Sequence, residues 1–158
     1  MVNRLISATA SEVRSMSREE KLEAIKASDG RVIVSENVCV SATATDSTTN
    51  AELACAFGAD MILLNLFDCF NPVVIGLPGI GLGEAFEIWQ DSKLNTRNPI
   101  EELKNLTGRL IGVNLEPVDE AQKVVGEKTT IGLGRKSSAA TFEAANRLGV
   151  DFICLTGN

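Results

Sequence analysis

Three carboxylates, Glu36, Asp68 and Glu116, follow or close short apolar runs that read as strands. In a parallel α/β fold the carboxyl ends of the strands open onto one mouth. Carboxylates crowded there either raise one member's pKa, giving an acid/base pair, or hold a hard cation such as Mg²⁺. Glu36, Asp68 and Glu116 are therefore the candidate catalytic residues and the candidate metal ligands. Asn65 and Asn114 end the second and third runs and are candidates to orient a substrate. The plainer reading is that strand ends are wet and polar in any case.

Gly132-Leu133-Gly134-Arg135-Lys136-Ser137-Ser138 offers two cations and flexible backbone just before a helix start. That combination suits a phosphate or carboxylate, with Arg135, Lys136 and Ser137 as substrate-binding candidates. It is not a nucleotide-binding P-loop, because Arg135 stands where the second glycine belongs and the first is missing. A solvated basic turn is the alternative. Gly76-Leu77-Pro78-Gly79-Ile80-Gly81-Leu82-Gly83-Glu84 is a second glycine-rich run leading into a helix. Its GxGxG spacing is not a dinucleotide fingerprint. It reads as a mobile turn-rich loop or as a lid whose amides cradle an anion. Asp46-Ser47-Thr48-Thr49 lacks the second Asp of a haloacid-dehalogenase nucleophile motif, and no apolar strand precedes it.

The chain has no His and no Tyr. Ser-His-Asp triads, Cys-His pairs and His-based zinc sites are excluded within it, and proton transfer falls to Asp, Glu, Lys or Cys. Cys39, Cys55, Cys69 and Cys154 include no CxxC pair, which excludes a zinc ribbon or a thioredoxin-type motif. Cys55 and Cys154 sit in apolar runs and are expected to be small core residues, in keeping with a reducing cytoplasmic setting.

The elements that position these residues follow from capping signals. Ser17-Arg18-Glu19-Glu20 and Thr49-Asn50-Ala51-Glu52 are capping boxes, and Asn98-Pro99 starts a third helix. Ser137 or Ser138 starts a last helix. Gly30, Gly58, Gly108 and Gly149 stop the four helices. The first helix is expected to put Leu22 and Ile25 inward. Leu82, Ala85, Phe86 and Trp89 have the spacing of one more helix. Strands are expected at 31–36, 60–65, 109–115 and 151–155, with 116–136 irregular. Ala56-Phe57-Gly58-Ala59-Asp60-Met61 and Arg147-Leu148-Gly149-Val150-Asp151-Phe152 repeat one helix-to-strand junction.

Apolar strands alternating with helices imply a parallel sheet covered by helices. Four strand–helix steps of roughly 31 residues are half the length of a (β/α)₈ barrel. The expected fold is an α/β (βα)₄ half of a TIM barrel, residues 31–158, behind a leader helix in residues 1–30. The chain is expected to be a cut or natural truncation of the barrel. A closed four-stranded doubly wound domain is the alternative.

The 158 residues are 44% hydrophobic, which supports a folded core. The net charge of −6 argues against nucleic acid or an anionic membrane as a partner. There is no apolar run of membrane-spanning length. An open half-barrel leaves apolar edges, so a homodimer or higher oligomer is expected.

Val34-Ser35-Glu36-Asn37, Gly58-Ala59-Asp60-Met61-Ile62-Leu63-Leu64-Asn65 and Gly149-Val150-Asp151-Phe152-Ile153-Cys154-Leu155-Thr156-Gly157-Asn158 carry a resemblance. The chain resembles the N-terminal half of an uncharacterised bacterial TIM-barrel family, loosely related to phosphoenolpyruvate phosphonomutase-like proteins and sometimes labelled haloacid-dehalogenase-like hydrolases. The resemblance implies a Mg²⁺-assisted reaction on a small phosphorylated or carboxylated acid. The Cys-bearing lid motif of true phosphonomutases, K-x-C-x-S/G, is missing. Two functions are thus in view: a barrel enzyme acting on a small anionic substrate, and a non-catalytic binding or assembly module of the same fold.

Overall fold

The computed structural model describes residues 3–118 and 131–156. Its helices are α1 (Ala10–Ser15), α2 (Arg18–Ala27), α3 (Asn50–Ala56), α4 (Leu82–Gln90), α5 (Pro99–Thr107) and α6 (Ala139–Leu148). Its strands are β1 (Val34–Val38), β2 (Met61–Asn65), β3 (Leu110–Leu115) and β4 (Phe152–Leu155). The strands form one all-parallel sheet in the order β1-β2-β3-β4. This is a mixed α/β fold in which strands alternate with helices.

The helix starts follow the capping chemistry. Ser17 accepts the Glu20 amide at 3.2 Å while Glu20 accepts the Ser17 amide at 2.7 Å. Thr49 and Glu52 do the same for α3. Ser138, not Ser137, caps α6. A further capping box, Thr9 with Glu12, starts α1, a helix the sequence reading had merged into the leader. Gly108 and Gly149 close α5 and α6 in left-handed geometry, where a side chain would be strained.

The pleat then sorts the core. Ile62, Leu64, Ile111, Val113 and Leu115 are each at most 1% exposed and pack with Ala51 of α3, Ile100 and Leu103 of α5, and Ala144 and Ala145 of α6. Each such large aliphatic contributes about 1.5–3 kcal/mol of gross burial. The alanines let α3 and α6 approach the sheet closely. On the opposite pleat, Met61, Leu110 and Phe152 lie at the strand starts, against Leu5, Ala8, Val13 and Ala24 of the N-terminal segment. The leader thus plugs the amino end of that face. Glu36, Leu63, Asn65, Gly112, Asn114 and Cys154 continue the same face toward the carboxyl end, by register.

Several expectations are corrected. The first strand starts at Val34 rather than at 31 and is not buried, because it is an edge: Ile33 is 58% and Val34 48% exposed. In α2 the residue turned fully inward is Ala24, with Ile25 partly buried, while Leu22 is exposed. In α4 the periodic residues Leu82, Phe86 and Trp89 face outward, and Ala85 and Ile88 are the buried ones. The buried cysteines are Cys39 and Cys69, whereas Cys55 and Cys154 are half-buried. Within the irregular stretch 116–136, residues 119–130 lie outside the described residues. Among the described residues no helix is long and apolar enough to cross a membrane.

Candidate functional site at the carboxyl ends of the strands

The carboxyl ends of β2 and β3 bring Asp68, Glu116 and Arg135 into one neighbourhood. The Arg135 Nη2 donates to Glu116 Oε1 at 2.6 Å, with both side chains about three-quarters buried. Backbone pairing locks that geometry: the Glu116 amide donates to Arg135 O at 2.9 Å and the Ser137 amide to Glu116 O at 2.8 Å. Lys136 sits opposite Glu116 in a parallel bridge, and its carbonyl accepts the Thr141 hydroxyl at 2.6 Å. The segment after residue 130 therefore runs as an extra rung beside β3, then turns into α6.

Asp68 closes the neighbourhood from the β2 side. Its Oδ1 accepts the amides of Phe70 at 2.8 Å and Asn71 at 3.1 Å, and the Cys69 amide donates to Gly134 O at 2.9 Å. A Cβ on Gly134 would overlap the Asp68 carboxylate. Gly134 is thus a close-approach glycine, and its lack of a side chain is what lets the turn Leu133–Arg135 lie on Asp68. Beneath this cluster Cys39 is 4% exposed. Burial, opposed by the Arg135 charge and reinforced by Asp68, pushes its thiol up to about 12, so Cys39 is not a nucleophile at neutral pH.

The asparagines lie toward the carboxyl end of the pleat that carries Met61 and Leu110, with Asn114 buried. Asn114 accepts the Thr156 hydroxyl, joining the ends of β3 and β4. Asn65 Oδ1 accepts the Leu66 amide at 2.8 Å, stabilising the left-handed turn at Leu66. Glu36 is exposed in the middle of β1, opposite Leu63, and not at the strand end. The three acids do not form one acidic cluster: among the described residues no group of three or more Cys, Asp or Glu is placed to hold a metal ion. With Glu116 already balanced by Arg135, these residues do not fit a resident Mg²⁺.

The two basic-loop and glycine-loop expectations divide. Ser137 contributes its backbone rather than a cap, and Arg135 is engaged by Glu116. The Gly76–Glu84 run is pinned instead of open: Gly76 donates to Ile80 O at 2.8 Å and Gly81 to Glu84 at 3.0 Å. Arg97, which the sequence reading did not single out, donates to Pro78 O at 2.7 Å while its guanidinium pairs with Glu102. No spacing rule flags a loop-clamping arginine from sequence; only the fold brings 97 against 78. The Gly76 and Gly81 amides are thus spent on the run's own turns.

Residues 6–158 match a family described as a domain of unknown function, DUF7916. No curated protein matches the chain. No solved structure matches it either.

Proposed function

We infer that this chain, which belongs to the DUF7916 family, is a (βα)₄ half-barrel of the enzyme type that takes a small phosphorylated or carboxylated acid at the carboxyl ends of β2 and β3. The strand order supports the half-barrel over a doubly wound domain. A doubly wound sheet reverses its order and carries helices on both faces. Here the order is sequential, and α3, α5 and α6 all pack on the face of Ile62 and Ile111.

The observation that carries the functional reading is the convergence of Asp68, Glu116 and Arg135 at those strand ends. A guanidinium has five N–H donors, and Glu116 engages one terminal nitrogen. The remaining donors suit the anionic group of a substrate, bidentately, with Lys136 beside it. Glu116 is the group placed to take or return a proton next to that anion. Asp68 positions the Gly134 turn, and Asn114 and Asn65 orient the rest of the molecule.

The test is thermal stability and calorimetry with inorganic phosphate, malonate and 2-phosphoglycolate. At least one should stabilise the protein. Arg135→Ala should abolish the effect, while Arg147→Ala, at an exposed pair with Glu143, should keep it. Equal binding by Arg135→Ala, or no binding by any probe, would remove the reading. A second reading, a non-catalytic binding module, is favoured by one observation: Arg135 and Glu116 already satisfy each other. It requires that Glu116→Gln leave ligand binding intact and that no bound acid be turned over.

A further inference from the structure

The two asparagines at the carboxyl ends of β2 and β3 have fixed polarity. A backbone N–H only donates, so the Leu66 amide at 2.8 Å identifies the atom it meets on Asn65 as the oxygen. Leu66 is held by that contact in the left-handed region, at φ 61°. The Asn65 oxygen is thus committed to the chain, and the amide nitrogen is the end turned away from it. An aspartate would serve the Leu66 turn as well; what asparagine adds is the nitrogen. Asn114 repeats the arrangement. Its Oδ1 accepts the Thr156 hydroxyl, which leaves Nδ2 as its other end. Among the described residues neither Nδ2 meets an acceptor. Asn114 is only 9% exposed, so water supplies little of the hydration that an amide has in solution.

The register places these two donors together. Leu64 pairs with Val113, so Asn65 and Asn114 come next on adjacent strands and share one pleat. Adjacent strands lie about 4.8 Å apart. Glu116 follows Asn114 by two residues, about 7 Å along an extended chain, and its carboxylate holds Arg135 at 2.6 Å. The site therefore has two tiers. The outer one carries the Arg135 guanidinium, and the inner one carries two amide nitrogens.

We propose that Asn65 and Asn114 set the specificity of this site: its ligand is a small acid whose far end is a second carboxylate, received by the two Nδ2 groups, while its first anionic group meets Arg135. A carboxylate offers only acceptors and takes one N–H donor on each oxygen. An ammonium offers only donors and would face donors. The spacing of about 7 Å between the tiers suits a short acid with an anionic group at each end, such as 2-phosphoglycolate. The inference rests on the anion site proposed above.

The test uses two probes that share a phosphate and differ at the far end. 2-Phosphoglycolate ends in a carboxylate and O-phosphoethanolamine in an ammonium. Calorimetry should show 2-phosphoglycolate bound more tightly by about tenfold or more, as for hydrogen bonds to a charged group. Because the Arg135 charge also favours the more anionic probe, two variants decide. Asn65→Asp keeps the oxygen that holds Leu66 and replaces the nitrogen by a second oxygen, so it should abolish or reverse the preference. Asn114→Ala removes one donor without adding charge, and should weaken 2-phosphoglycolate about tenfold while leaving O-phosphoethanolamine within about twofold. Circular dichroism checks that each variant is folded; where Asn65→Asp is not, the Asn114→Ala ratio decides alone. A merely structural role would lower the melting temperature and leave the ratio of the two affinities unchanged. Equal affinities in the parent protein, or a ratio that neither folded variant moves, overturns the proposal. Such a result with binding still lost in Arg135→Ala sinks the asparagine assignment alone. Binding of neither probe removes the anion site and this inference with it.

Discussion

Asp151 reaches back from the head of β4 to accept the Ile111 amide of β3 at 2.8 Å. Its other contacts are Lys21 of α2 at 2.8 Å and Lys104 of α5 at 3.0 Å, and its side chain is 4% exposed. One carboxylate thus ties the leader, a covering helix and two strands together. Asp60 makes the same strand contact with Ile33, with no lysine paired to it among the described residues.

That difference predicts unequal costs. Asp151→Ala leaves two lysines and a strand amide without their partner, a loss of roughly 3–5 kcal/mol for breaking a buried pair. Asp60→Ala removes one hydrogen bond and is expected to cost about 1 kcal/mol. Urea unfolding of the two variants separates them. Equal midpoints would mean that the lysines contribute nothing through Asp151.

The alternation of strands and helices was legible because its signals are local. Capping boxes at Ser17 and Thr49 and glycine stops at Gly108 and Gly149 need only neighbouring residues. Edge and burial were not, because they depend on which strands pair. Val34 looks like core in sequence and is exposed only because β1 has one neighbour. The site was partly legible. Asp68, Glu116 and Arg135 are each legible by type and position, but the direct Glu116–Arg135 ion pair is not, because it depends on how the stretch after residue 130 docks beside β3. Glu36 was misplaced because the strand began three residues later than its β-branched run suggested.

The Gly134 approach to Asp68 makes a second prediction. In Gly134→Ala the new methyl overlaps the carboxylate, so either the Asp68 turn or the Leu133–Arg135 turn must shift. The expected cost is about 1–3 kcal/mol, as for overpacking, and any acid bound through Arg135 should weaken with it. Gly83→Ala, where a Cβ meets open space inside α4, should instead be neutral or stabilising by up to about 1 kcal/mol. Thermal melts of the two variants should move in opposite directions or differ clearly in size.

The Glu116–Arg135 pair lends itself to a double-mutant cycle with Glu116→Gln and Arg135→Met. Both side chains are partly screened, so a coupling of about 1 kcal/mol is expected, between exposed and buried pairs. It should weaken in 1 M salt, where screening reaches ~3 Å. A coupling near zero at low salt would show that backbone pairing around residues 116 and 135 holds the site without help from the charges.

Cys39 gives a pH signature. Burial raises its thiol from an ordinary value near 9 to about 12, so the folded state keeps the proton that the unfolded chain loses. A raised folded pKa contributes stability that is complete below the unfolded value and is lost as pH rises toward the folded one. This contribution should therefore be intact at pH 8 and decline between about 9 and 12. Cys39→Ala should be less stable at neutral pH, because a buried side chain is truncated, yet its stability should fall less steeply across that alkaline window. Denaturant midpoints for both proteins at pH 7.5, 9 and 10.5 measure the two slopes. Parallel slopes would mean that Cys39 is not the group whose proton couples folding to alkaline pH.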